Sequence, residues 1–543
     1  MDSASRNHPL SSAASSAAGV PGSHAVDVVV VGGGHNGLIS AALTARSGLS
    51  TVLVEARDTI GGCASTVTDL GARFNICNCD HNMIRALPLM DELDLASHGL
   101  RYIETEISSI HLTHGETTAW PFFHDPERHL DALGRIHPAW VPQYRRYLDD
   151  ALPVARLAID MARTTPSTAL MLRRVAGLRG RGARRLLAWS RSSAADVLRS
   201  YFDDWRIWMP AVSNGPTVWG VSPETPGTGL AAALYATKHI NRTGRPVGGS
   251  GALTDAIEAS FLAAGGTVIT SRMVEQLVTD SGGVCGVCLD DGSTITARAV
   301  VAACDPQRVF VDWLDDPTGE QDWPSAAREE IGHWRSQPVH DGYESKIDAV
   351  ISSLPSYRHA DQLREVVGEA DLWSPTTVIH PTPEGLADAH RRRTTGDVAS
   401  LPTMLLNIPS VADADMQLSP DEHVLSLEVL FTPYTHDWSR SEEPARWLEL
   451  LSGLCESGTL QVDRWRAMTP DRYEREFQMH RGHTPAYAGS PLATLMGRPR
   501  PTTRHRSKVP GLYLGGAAAY PGAGVFGGAG RNAARAVIRD LGR

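Results

Sequence analysis

Apolar and polar positions along the chain fall into runs that predict its elements. Residues 28–31 are four valines, an unbroken apolar run that predicts a buried strand. Three glycines follow, then a helix-like segment from Leu38 to Ala45, then a second apolar strand ending in Glu55. The stretch VCGVCLDDGSTITARAVVAAC, residues 284–304, reads as two strands around an Asp-Asp-Gly turn. TMLLNI (403–408) and HVLSLEVLF (423–431) read as strands of an antiparallel sheet. ESKIDAVISSLP (344–355) alternates too, with Ile347, Ala349 and Ile351 on one face and Lys346 and Asp348 on the other. No apolar run is long enough to span a bilayer; in residues 26–45 the glycines, His35 and Asn36 mark a strand–turn–helix instead.

Length and charge narrow the class. At 543 residues the chain predicts two or three lobes, and its net charge of −10 argues against general nucleic-acid binding. Residues 1–24 form a Ser/Ala-rich stretch without the apolar core of a secretory signal, expected to be a disordered tail. Cys285 and Cys288 form a CxxC, and Cys77 and Cys79 a CxC. No second CxxC or His pair completes a zinc set, so no metal is expected. The seven scattered cysteines suit free thiols and a cytoplasmic location.

Gly32-Gly33-Gly34-His35-Asn36-Gly37 fits G-x-G-x-x-G between a strand and a helix. The first glycine permits the tight turn, the second lets the backbone approach a pyrophosphate, and the third lets helix and strand pack closely. The helix N-terminus offers free N–H groups to phosphates. Glu55 stands where a carboxylate can hold ribose hydroxyls. These spacings predict dinucleotide binding.

The residues after Glu55, Ala56 to Ala64, include Gly61-Gly62-Cys63. A strand-ending acid followed by Gly-Gly resembles the fingerprint of glutathione-reductase-like FAD enzymes. That resemblance implies non-covalent FAD, with the Gly-Gly turn near the flavin. Residues 245–277, RPVGGSGALTDAIEASFLAAGGTVITSRMVEQL, resemble the second FAD-contacting segment of phytoene-desaturase-type flavoproteins. This implies that the Val274 backbone lies against the adenine. The C-terminal stretch 509–541 resembles that family's final motif, implying cofactor contacts from Gly515, Gly516, Gly524 and Val525. GGGHNGL, RFNICNCDHNMI and GRNAAR are similar to bacterial carotenoid ketolases and to pyridine-nucleotide-disulfide-oxidoreductase-domain-containing proteins. The final motif departs from theirs at Ala519-Tyr520-Pro521-Gly522-Ala523, as does GHTPAYAGSPLATLM before it.

The expected fold is therefore α/β: a discontinuous Rossmann-type FAD-binding domain (25–110, 244–315 and 480–543) and an α+β substrate domain (111–243 and 316–479). The substrate domain has an antiparallel sheet and a helical insertion. The insertion, 150–215, carries ten arginines from Arg156 to Arg199 against Asp160 and Asp196. It reads as a solvated face, a membrane-surface contact, or a site for an acidic partner.

Four residues are candidates for chemistry. Lys346 is either solvent-facing or, as in amine-oxidase-like flavoproteins, near the flavin N5. Asp80 is an N-cap, or Asp80-His81 face the substrate with His81 as acid/base or polar anchor. Tyr520 touches flavin or substrate, or packs. The expected activity is dehydrogenation of a C–C or C–N bond in a largely apolar small molecule, with O2, a quinone or another acceptor reoxidising the flavin. Ketolation and amine oxidation are alternatives. A lipid-binding escort on the same fold would have a degraded fingerprint, and here its glycines and Glu55 are in place.

Overall fold

The computed structural model describes residues 26–542 apart from 78, 178, 214, 216, 218, 219, 315–322, 339, 340, 369, 418 and 484–499. The expected disordered tail and most of GHTPAYAGSPLATLM lie outside the described residues.

Two seven-stranded sheets organise the molecule. In the first, Leu512–Leu514, Thr294–Ala302, Val26–Val31, Thr51–Val54 and Thr267–Ile269 lie side by side, all parallel. Parallel neighbours need crossovers, and the helices His35–Arg46 and Gly251–Ala263 lie in those connections. Val28, Val29 and Val30 are wholly buried, which explains the unbroken valine run. The strands Gly283–Leu289 and Thr294–Ala302 flank the Asp-Asp-Gly turn and, with Val274–Asp280, extend the sheet in antiparallel fashion.

The second sheet runs Val462–Met468, Glu344–Ile351, His423–Leu430, Met404–Asn407, Thr376–His380, Ile107–Thr113, Trp120–Phe123. It is antiparallel except where Thr376–His380 pairs with Ile107–Thr113. The strand Ile107–Thr113 runs through the boundary expected at residue 110. One face of the sheet is apolar: Ile347, Ala349, Leu425, Leu427, Met404 and Leu406 pack into a core with Trp447. The helix Trp140–Ala162 buries Tyr144, Tyr147, Leu148 and Ala151 along one stripe. With the helices around it, that stripe packs against Val378, Leu405 and Leu430, on the other face.

Candidate functional site

The fingerprint turn is built by close approach. Gly32 has φ +100, and a Cβ on Gly37 would lie 1.9 Å from the Gly32 carbonyl oxygen, so helix and strand meet backbone to backbone. A Cβ on Gly34 would meet nothing within 4 Å. The middle glycine thus faces open space while its neighbours are packed. Glu55 braces the turn: its Oε2 accepts from the Gly33 N–H at 2.6 Å and its Oε1 from the Arg57 N–H at 2.9 Å. The Gly61 N–H donates to the Gly33 carbonyl at 2.8 Å. A Cβ on Gly62 would lie 3.1 Å from the Gly34 Cα. Ala56, Cys63 and Ala64 follow along this edge, and Ala64 is buried.

The C-terminal helix Gly528–Leu541 closes on the same place. The Gly530 N–H donates to Asn36 Oδ1 at 3.2 Å, and Ser40 Oγ donates to the Gly530 carbonyl at 2.9 Å. His35 bonds the Gly524 backbone, and burial pushes its imidazole down to about 4. Gly515 N–H donates to the Ala302 carbonyl at 2.9 Å, docking the last strand. Gly516 lies against Ala303, and Val525 is half-buried against the core around Leu38 and Ile39. Val274 begins its strand and is buried. Two buried polar atoms here, His35 Nε2 and Asn532 Nδ2, have no protein partner. The open space at Gly34, two converging helix N-termini and these orphaned atoms fit a dinucleotide's phosphates.

Beside this cradle, the second face of the second sheet is polar and still buried. Lys346 stands opposite Glu428, and Asp348 opposite Ser426 and Arg466. Asn407 and Thr376 continue the row, bonded at 2.6 Å. The solvent-facing reading of Lys346 is corrected: it is 3% exposed. Alternation placed Ile347, Ala349 and Ile351 as expected, but the hairpin Thr66–Asp69/Ala72–Asn75 covers the other face through Phe74. The Lys346 ammonium donates to Asp348 and to the Asn75 carbonyl. Arg466 donates to Asp348 at 2.9 Å. Asn75 Oδ1 also accepts from the Ser250 N–H at 2.7 Å, at the start of Gly251–Ala263. One residue therefore joins the sheet face to the helix that crosses over in the first sheet. A small cavity with about 10 Å³ of room for a water centre opens there, lined by Asn75, Cys77, Cys79, Lys346, Asn407 and Glu428.

Asp80 is not an N-cap. Arg245 Nε donates to it at 2.6 Å, and the Thr376 hydroxyl donates to its other oxygen. Burial pushes Asp80 up, but the Arg245 charge and these hydrogen bonds outweigh it and hold the carboxyl below its ordinary value. The acid/base reading of His81 is also corrected. The ring is fully buried, and its nitrogens bond Tyr102 Oη and Ser250 Oγ, both at 3.1 Å. Burial, then the neighbouring His35, pushes it down to about 3. A ring with both nitrogens occupied has none for a substrate. Tyr520 is 4% exposed, its N–H donating to the Thr502 carbonyl at 2.9 Å, and burial pushes its phenol up.

Three ionisable residues that the alternation did not single out join the site. Lys238 is pushed down to about 8 by burial, against the pull of nearby Asp80. Burial pushes Glu428 up to about 7, and burial with the Glu428 charge pushes Glu344 up to about 8. Behind Lys238 runs a buried chain: Lys238 Nζ to Ser109 Oγ at 3.4 Å, Ser109 to His111 at 3.0 Å, His111 to His380 at 3.0 Å, His380 to Ser213 at 2.9 Å. For Glu344, Glu428, Ser109, His111 and His380 the sequence signal was a polar residue inside an otherwise apolar strand; Lys238 and Ser213 lie on helical segments and carried no such signal.

A parallel sheet with an open glycine cradle, next to a buried ionisable face, defines a dinucleotide-dependent oxidoreductase. The chain belongs to the family of flavin containing amine oxidoreductases, matched over residues 37–538. It is 27% identical to the mouse pyridine nucleotide-disulfide oxidoreductase domain-containing protein 2, over 95% of this chain and 94% of that protein. It is 24% identical to a limonene dehydrogenase polypeptide of Castellaniella defragrans, over 95% of each. Among solved structures, wild-type putrescine oxidase bound to putrescine superposes with a TM-score of 0.62 at 18% identity, covering 96% of this chain and 100% of that one. The cofactor is FAD, and the protein is an FAD-dependent oxidoreductase. The residues that would hold it are Gly32–Gly37, Glu55, Gly61-Gly62 and the turn before Gly528–Leu541.

Proposed function

We propose that the protein dehydrogenates a largely apolar small molecule lying between a non-covalently held FAD and the polar face of the second sheet. The observation that carries this reading is the junction at Asn75, which ties that face to the helix Gly251–Ala263 of the first sheet. Its first sheet is read as glutathione-reductase-like. Bound FAD supplies the hydride acceptor. The chain supplies orientation and exclusion of water: the sheet is buried on both faces, and Lys346, Asp348 and Arg466 hold one another in place. Lys238, lowered towards neutrality, accepts a proton at Nζ, where the hydrogen bond to Ser109 and the nearby Asp80 charge hold the ammonium.

The limonene dehydrogenase relative supports a hydrocarbon-like substrate, and carotenoid-type molecules fit the same class. The electrons would leave to O2, a quinone or another acceptor. A C–N bond is the second reading, favoured by Glu344 and Glu428, two carboxyl groups able to meet an amine. The test is anaerobic mixing of the purified protein with terpenoid hydrocarbons and with aliphatic amines, after confirming FAD by its absorption and release on heating. Bleaching of the oxidised-flavin absorption by terpenoids supports the first reading. Bleaching by amines alone transfers the assignment to the second, and a protein that takes up no FAD overturns both.

A further inference from the structure

The chain carries a net charge of −10, yet from Met161 to Ala195 it has eight arginines and no Asp or Glu. This segment forms the consecutive helices Thr168–Gly177 and Arg179–Trp189, packed on each other and, through the second, on Trp140–Ala162. Met171, Leu186 and Trp189 are buried in the core. Their neighbours point the other way: Leu172 is 62% exposed and Leu187 48%. Around them Arg173, Arg174, Arg184, Arg185 and Arg191 are exposed.

Among the described residues, three of these arginines meet a carboxylate. Arg163 and Arg174 share Asp160 at 3.5 and 3.6 Å, and Arg185 meets Asp150 at 2.8 Å. Among the described residues, Arg173, Arg184 and Arg191 have no ion pair. Between Trp140–Ala162 and Thr168–Gly177 lies a cavity of about 480 Å³, with Arg156, Arg173, Arg174 and Asp160 on its walls and Pro153 and Leu157 beside them. Three guanidiniums against one carboxylate leave it net positive, and its apolar residues suit something other than a bare ion.

We propose that this helical pair docks the protein on an anionic bilayer surface. Leu172 and Leu187 enter the headgroup layer, the flanking arginines bind lipid phosphates, and the Arg156/Arg173/Arg174 cavity seats one anionic headgroup. Exposed leucines set among arginines are the composition of an interfacial helix, in which buried apolar area and charge attraction act together. Among the described residues no helix is long and apolar enough to cross a membrane, so the contact is peripheral. The same helical core touches Val378 and Leu405 on the polar-face side of the second sheet. Docking would therefore bring that side towards the bilayer, where apolar molecules partition. The proposal stands independently of which bond is oxidised.

The test is co-sedimentation of the FAD-loaded full chain with phosphatidylcholine vesicles, with and without phosphatidylglycerol. Binding should require phosphatidylglycerol and fall with salt. Arg173→Glu and Arg184→Glu should each weaken it by about fivefold or more. The double variant Leu172→Asp/Leu187→Asp should lose it, and Leu172→Trp should show blue-shifted emission on vesicles. All are exposed positions, so flavin absorbance and circular dichroism should match the parent. Failure to bind phosphatidylglycerol vesicles overturns the proposal, as does undiminished binding by the double aspartate variant. So does competition by polyglutamate with no tryptophan shift, which would assign the surface to an acidic protein.

Discussion

Replacing Gly34 with alanine separates cofactor binding from folding. Gly34 has φ −66 and ψ 166, a conformation open to any residue, and its added Cβ would meet no protein atom within 4 Å. Folding should therefore be unharmed, or stabilised by about 0.4–1 kcal/mol through a less flexible unfolded chain. The methyl group would instead occupy the space assigned to the pyrophosphate. Displacing a phosphate from two backbone N–H donors forfeits about 1.5–3 kcal/mol each. The sum, about 3–6 kcal/mol, weakens FAD binding by about a hundredfold to ten-thousandfold. Gly37→Ala is the contrasting variant. Its Cβ would lie 1.9 Å from the Gly32 carbonyl oxygen, so strand and helix must separate. It should lose about 1–3 kcal/mol of stability as well as FAD. The assay pairs urea unfolding of FAD-free protein with FAD titration followed by flavin fluorescence. Parent-like FAD affinity in Gly34→Ala, or a large loss of its FAD-free stability, would refute the assignment of that space.

Asp80→Asn leaves Arg245, whose side chain is 6% exposed, without its charge partner and should cost about 3–5 kcal/mol in urea unfolding near neutrality. Because the Asp80 carboxyl is held below its unfolded value, its stabilisation is present above about pH 4 and fades as pH falls through the folded pKa. The gap between variant and parent should narrow on acidification, and a constant gap would contradict the ion-pair account. Buried His81 and His380, both pushed down to about 3, work on a higher window. Below about pH 6.5 the unfolded chain takes up protons that the folded chain refuses, so stability falls with pH, by about 3 kcal/mol per histidine near pH 4.5. His380→Gln should flatten that slope by about 1.4 kcal/mol per pH unit, and an unaltered slope would show that His380 is not held neutral. Lys238→Met should abolish a limb near pH 8 in the rate of flavin bleaching by substrate; retention of the limb would remove Lys238 from proton transfer.

Local pattern was enough for the cofactor cradle. Each requirement there is short in range: four valines make a strand, glycines permit a turn, and Glu55 sits one crossover away. The hairpin at 284–304 and the strands around Leu406 and Leu427 were legible for the same reason, since period-two alternation reports which residues share a face. Alternation does not report what covers that face. Lys346 and Asp348 had the pattern of a solvated edge, and only the packing of Phe74 and Asn75 from residues some 270 positions earlier made them interior. His81 and Asp80 had the residue types of a catalytic pair. Their roles were decided by Ser250, Tyr102, Arg245 and Thr376, each brought from a distant part of the chain. The same holds for Lys238 and the histidines behind it, whose ionisation is set by burial and by neighbours across the fold. Sequence determined where backbone could approach a dinucleotide; tertiary structure decided which side chains lost their water, and desolvation is what turns an ordinary lysine or glutamate into a group that titrates near neutrality.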